Sequence, residues 1–363
     1  MQQAMLCELE RVRLVRLERD VRCYLPRDSQ LRWALEECDV KVSALPLAAL
    51  PTPGQCITNL QYVEGAARYL GVDSPLCVGR VGQNIAGKKH KTAAGEPWQL
   101  DRYGNNIFSV ALEDQYRTRH DGVKLVIPRV AQWAGVRCTV EVYGHFAGLL
   151  SQEALEALDT KRKRQGLVPD FLLQGQVTGI AELKMISSVP SHYPRKIQGE
   201  NEGVRPVDVK ARGLQEEYEK KLRDADPTGR AVARLRDHGP VRALVVGAFG
   251  EFSVDLHMLI HDLVQAKIPG TPQDTRAARS KAIPWVRRQI AVAAMKRTAD
   301  TLINGLAFCG PGGAEAYARR DTAQSKDVAA RAQMEAADYA AMYRKHGRGW
   351  VDHADWGWCE AGG

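Results

Sequence analysis

Residues 241–249 form a short apolar run, with Val241, Ala243, Leu244, Val245, Val246, Ala248 and Phe249 in quick succession. A run this short cannot span a bilayer, which takes about 20 residues. It reads as a strand apolar on both faces, and such a strand must be covered on both faces. That demands a layered fold with helices on either side of a sheet. The flanking sequence supplies the layers. Ser253 caps a predicted helix running to residue 267. Residues 207–223 form another, with Leu214, Tyr218 and Leu222 on one stripe.

Upstream, residues 136–143 alternate apolar and polar, as a strand with two unlike faces does. Residues 167–173 and 178–186 read as two more strands joined by a polar turn around Gln174 and Gly175. A helix over 120–134, starting at His120, is interrupted or kinked at Pro128 and closed by Gly135. A small helix over 151–163 opens at Ser151, with Glu153 in its first turn. The order is helix, three strands, helix, strand, helix, which predicts an α/β fold with a central mixed sheet flanked by helices.

Outside this core, residues 1–24 carry Leu6, Leu9, Val12, Leu14 and Leu17 at helical spacing, residues 43–54 read as a linker, and a helix over 59–69 ends at Gly71. Residues 79–106 read as loop, and 279–347 as Ala-rich helix broken at 310–313. The expected division is a mostly helical and loop region over 1–115, the α/β core over 116–270 and a helical region over 271–363.

Composition narrows the function. Of 363 residues, 44% are apolar, enough for a substantial core. The net charge of +8 favours polyanion partners, chiefly nucleic acid. The eight cysteines are scattered without a CxxC pair, which argues for buried free thiols over a zinc ribbon or disulfide framework. With charged residues throughout its start and no apolar signal core, the chain reads as soluble and intracellular, with no membrane role.

The chemistry centres on Pro169-Asp170 and, past the turn, Glu182-Leu183-Lys184. Side chains two apart on a strand share a face, so Glu182 and Lys184 project together while Ala181, Leu183 and Met185 face the core. The turn brings Asp170 alongside Glu182. Two carboxylates suit a hard divalent cation, and a lysine beside them suits charge developing on a phosphoryl group. Removing Asp170 from such a like-charge pair is expected to relieve repulsion. A surface hairpin with an ordinary Glu–Lys pair is the plainer alternative, but unpaired charge in an apolar strand is costly.

This pattern resembles the PD-(D/E)XK nuclease superfamily, with a restriction-endonuclease-like core over residues 120–267. The resemblance implies Asp170, Glu182 and Lys184 as the catalytic set, with Mg²⁺ (or Mn²⁺) held by Asp170, Glu182 and the main-chain carbonyl of Leu183. Gln215 and Tyr218, one turn apart, resemble the glutamine and tyrosine of RecB-like members, though those are usually spaced one residue wider. A narrower resemblance is to the restriction-like endonuclease domain of non-LTR retroelements. It rests on Asp101, Gly104 and Asn105, on Arg119-His120, on Ala134-Gly135 and on Pro169-Asp170. Those elements carry a zinc knuckle just upstream. This chain lacks its cysteines and has Asn105 and Asn106 where a histidine would stand, so no zinc is expected.

Further candidates are His120, Glu141 and Glu153 as auxiliary groups. Lys161, Arg162, Lys163 and Arg164, with Arg212, are candidates for gripping backbone phosphates. A basic helix end is an equal reading of residues 161–164. Residues 82–88 imitate a phosphate-binding loop, but Lys89 follows where a Ser or Thr is needed. The expected activity is metal-dependent hydrolysis of DNA phosphodiesters, in endonuclease mode, by a homodimer or a member of a larger complex. The alternative is an inactive nuclease-fold subunit that only binds nucleic acid.

Overall fold

The computed structural model describes residues 24–26, 29–38, 42–43, 45–47, 57–87, 92, 95–110, 113–141, 145–146, 168–188, 192–193 and 204–319. The elements among them are α1 Gln30–Glu37, α2 Asn59–Leu70, α3 Asn105–Ser109, α4 Glu113–Lys124, α5 Val126–Trp133, β1 Arg137–Val140, β2 Phe171–Gln174, β3 Gly179–Met185, α6 Pro206–Ala225, α7 Arg230–Asp237, β4 Arg242–Val246, α8 Val254–Lys267 and α9 Pro272–Gly305. The expected helices over 1–24 (Tyr24 apart) and 151–163, and the sequence from residue 320 onward, lie outside the described residues.

The sheet runs β1-β2-β3-β4. β1, β2 and β3 form an antiparallel meander, and β4 lies parallel to β3. β3 changes partner along its length. Gly179, Ile180 and Ala181 pair with β2, whereas Ala181 through Met185 pair with β4 on the other edge. Beyond Ala181 the β2-facing edge of β3 has no ladder partner among the described residues, and side chains meet its backbone groups there.

Alternation sorts the two faces as the sequence predicts. Ala181, Leu183 and Met185 join Leu244 and Val246 in a core with Val130 of α5, Leu259 and Leu263 of α8, and Val286 and Ile290 of α9. On the opposite face, Leu172 and Ile180 meet Tyr218 and Leu222 of α6 and Leu235 of α7. Ala243 and Val245 meet Val207 and Ala211 at the start of α6. β4 is thus buried from both sides, its Leu244, Val245 and Val246 side chains each contributing roughly 1.5–3 kcal/mol.

Three boundaries differ from expectation. The helix assigned to 120–134 is two helices, broken at Leu125, and α4 begins at Glu113. Pro128 sits in the first turn of α5, where its missing N–H leaves no bond unmade. His120 therefore lies well inside α4 instead of at a helix start. α9 begins at Pro272, ahead of the expected residue 279, because Thr271 caps it by accepting from Asp274 N–H. The short α7 was unassigned and is set off by Gly229 and Gly239, both left-handed. α4 packs closely on α9, since a Cβ at Gly122 would meet the Arg297 side chain at 2.4 Å. This close approach holds the C-terminal half of α4 over the open edge of β3.

Among the described residues no helix is long and apolar enough to cross a membrane. Cys38, Cys77, Cys138 and Cys309 are free. Burial pushes the Cys138 thiol up to about 12 and the Cys309 thiol up to about 11, which leaves both inert near neutrality.

Candidate active site

The registers bring three acids into one row. Val140 pairs with Phe171 and Phe171 with Ala181, so one step further Glu141, Asp170 and Glu182 stand opposite one another. The backbone follows, as Glu141 N–H donates to Asp170 O at 3.1 Å. Asp170 N–H lies 3.4 Å from Glu182 Oε1. Like charges directly opposite across strands destabilise a sheet, so this row needs compensation.

α4 provides it. His120 and Lys124 are four apart and share a helix face. Lys124 Nζ donates to Asp170 Oδ1 at 2.5 Å and to Glu141 Oε1 at 3.0 Å. His120 Nε2 stands 3.3 Å from Asp170 Oδ2 and 3.1 Å from Leu183 O. Both partners only accept, so Nε2 carries its hydrogen. The other oxygen contact comes from β3, where Leu183 N–H donates to Asp170 Oδ2 at 2.9 Å. Both backbone groups of Leu183 therefore point away from β4 into the site. Arg119 reinforces the edge by donating to Met185 O at 3.3 Å, its guanidinium lying over the Phe108 ring.

The electrostatics follow. Burial alone would raise the Asp170 carboxyl, but His120 and Lys124 outweigh it and hold the group well below the usual carboxylate range. Burial, followed by the Asp170 charge, pushes Glu182 well above that range. Asp170 is the standing anion, and Glu182 is the acid that keeps its proton longer. Burial works against the Lys124 ammonium, yet Asp170 and Glu141 raise it and keep it charged. Removing Asp170 would leave Leu183 N–H without its acceptor and Lys124 with Glu141 alone, which works against the expected relief of repulsion.

Among the other sequence candidates, Lys184 shares a face with Glu182, and its charge reaches Glu217 of α6. Tyr218 is 3% exposed and lies in the field of Glu182 and Asp170. Its hydroxyl is buried without a hydrogen-bond partner. Gln215 does not join the site. Its amide donates to Val241 O at 2.9 Å and to Asp255 Oδ2 at 2.7 Å, tying α6 to β4 and α8. Arg212 is exposed on α6. Glu153, Lys161, Arg162, Lys163 and Arg164 lie outside the described residues. Lys124 and Arg119 were missed as site residues. The signal was the i, i+4 spacing of His120 and Lys124, hidden by placing the helix start at His120.

Asp101 serves its own turn, where Asn106 N–H donates to Asp101 Oδ1 at 2.8 Å. Residues 82–87 make isolated bridges instead (Asn84 with Gln99, Ile85 with Cys309).

Among the described residues no group of three or more His, Cys, Asp or Glu side chains forms a ready metal cage. The Asp170 and Glu182 carboxylates and Leu183 O are all oxygen donors, the kind that could hold a hard cation such as Mg²⁺ or Mn²⁺ in preference to softer metals. The orphaned Tyr218 hydroxyl beside it is the kind of buried group that a bound water or ligand satisfies. Compared with family models, curated proteins and solved structures, the chain gives no match.

Proposed function

We propose that the chain is a divalent-metal-dependent nuclease with a restriction-endonuclease-like core, acting on DNA. The observation that carries this reading is the meeting of Asp170, Glu182 and the inward-facing backbone of Leu183 at the point where β3 leaves β2 for β4. The antiparallel meander followed by a parallel fourth strand, with helices on both faces, supports the same reading.

Asp170, Glu182 and Leu183 O would hold the cation, which when bound would stabilise charge on the phosphoryl group and activate water. Asp170 is already ionised and needs no proton removed. Glu182 must give up its proton to serve as a ligand, so loading is favoured as pH rises. Lys184 presents its ammonium on the Glu182 face, where it would stabilise the transition state. His120 fixes the Leu183 carbonyl and Asp170, and so orients the donors. Duplex DNA is the favoured substrate class, on the basic balance of the chain and the resemblance together.

A second reading, that the fold binds nucleic acid or works inside a complex without cutting, draws on one observation: Lys124, His120 and Leu183 N–H already engage both oxygens of Asp170. Incubating the full chain with supercoiled and linear DNA in Mg²⁺, Mn²⁺ or EDTA separates the two. Metal-dependent nicking of closed circles supports endonuclease action, and Lys184→Ala should then lose about 10²- to 10³-fold in rate while still retaining DNA in a gel shift. Retention of DNA without cutting under every metal condition supports the binding reading.

A further inference from the structure

We propose that Lys124 is a resident counter-ion that holds the cation's place among the acids and is displaced when the metal loads, so that it sets the concentration at which the site fills. This inference rests on the metal-site reading above and adds a residue to it.

Lys124 is 6% exposed and comes from α4, outside the sheet that carries the acids. Its ammonium touches two members of the acid row, Glu141 on one side and Asp170 on the other. Asp170 Oδ1, the oxygen it occupies, is the one left over after Leu183 N–H and His120 have taken Oδ2. A cation bound by Asp170 through that oxygen must therefore meet Lys124 first. The two positive charges cannot share one carboxylate oxygen within a few ångströms without strong repulsion.

The backbone supports a site built for exchange. Glu141 has φ +50, and among the described residues it is the non-glycine with positive φ. That conformation is strained for a residue with a side chain. It ends β1 and brings the Glu141 carboxylate onto Lys124 while Glu141 N–H stays on Asp170 O. Glu141 is also half-open to solvent, its side chain 47% exposed. Lys124 thus keeps an accessible carboxylate partner when it is driven off Asp170. The buried, unpartnered Tyr218 hydroxyl marks the same region as short of one polar ligand.

The test uses Mn²⁺ as probe and the full chain. Free Mn²⁺ is measured by electron paramagnetic resonance during titration of wild type, Lys124→Met and Lys124→Arg. Removing a competing unit charge should tighten Mn²⁺ binding by about tenfold or more in Lys124→Met, and Lys124→Arg, which keeps the charge, should bind no more tightly than wild type. If wild type binds Mn²⁺ and a folded Lys124→Met binds it no more tightly, the counter-ion role falls and the metal site stands. If neither binds, both fall.

A second measurement needs no variant. Acetylation of the wild-type chain, read by mass spectrometry, should leave Lys124 protected without metal and labelled with it. Equal protection in both states overturns the proposal, because a permanent structural bridge would behave that way.

Discussion

Glu251 shows what a buried carboxylate does when it is held for structure. It is fully buried, accepts from Tyr193 OH at 2.5 Å and from Phe249 N–H at 3.0 Å, and burial pushes it up to about 7. The folded state therefore binds this proton more tightly than the unfolded chain does. Its contribution is fully present below the unfolded value near 4.5 and is lost as pH rises through about 7. The loss amounts to about 3 kcal/mol. Urea unfolding at pH 5 and pH 8 should show it, and Glu251→Gln should flatten the difference; an undiminished slope in the variant would assign the pH dependence elsewhere. Asp170 is the opposite case at the same scale, a carboxylate depressed by its neighbours, whose contribution is present above the ordinary carboxylate range and fades on acidification. The Asp170–Glu182 juxtaposition was legible from the sequence, because a short turn between two alternating strands fixes which residues stand opposite. The part played by Lys124 was not, since it depends on where α4 begins and how that helix lies across the sheet, which no local pattern encodes.

At the level of elements, β3, β4 and α8 follow the sequence closely, because each is set by local chemistry. Alternation sets the faces of β3, continuous apolarity sets β4, and Ser253 starts α8. Ser253 does more than cap. Its hydroxyl accepts from Leu256 N–H at 3.4 Å and Val245 N–H at 3.0 Å and donates to Ala243 O at 2.8 Å, fastening the helix to the strand before it. Ser253→Ala should cost about 2 kcal/mol, at the upper end for a lost cap because buried β4 groups are left unpaired. Chemical denaturation measures this, and a loss under about 0.5 kcal/mol would reduce Ser253 to an ordinary surface cap. Gln215 is the instructive miss. A glutamine one turn from a tyrosine suggested a site pair, but its amide reaches a strand carbonyl and an aspartate on α8. Spacing along a helix fixes the face, and only the neighbouring elements decide what that face meets. The break between α4 and α5 was foreseen near Pro128 yet falls at Leu125, because proline is accommodated in a first turn instead of ending a helix.

For the molecule as a whole, the basic excess and the mixed sheet were both readable in advance, while the reach of the C-terminal helix was not. α9 places Val286, Ile290, Ala291 and Ala294 in the same cluster as Leu183 and Leu244, and its Arg297 lies against Gly122 of the helix that carries Lys124. Ile290→Ala, at 1% exposure, should destabilise the chain by about 2–5 kcal/mol and shift the melting of sheet and helix together. Separate transitions for the two would show that α9 folds independently of the sheet.

Calorimetric melting with and without Mn²⁺ tests the proposed cation site of Asp170 and Glu182 most directly. Wild type and Lys184→Ala should each gain about 2.7 kcal/mol at a hundredfold excess of metal over its Kd. Asp170→Asn, which can still accept from Leu183 N–H but is a poor ligand, should gain nothing. Equal gains in all three chains would place the metal elsewhere and contradict the assignment.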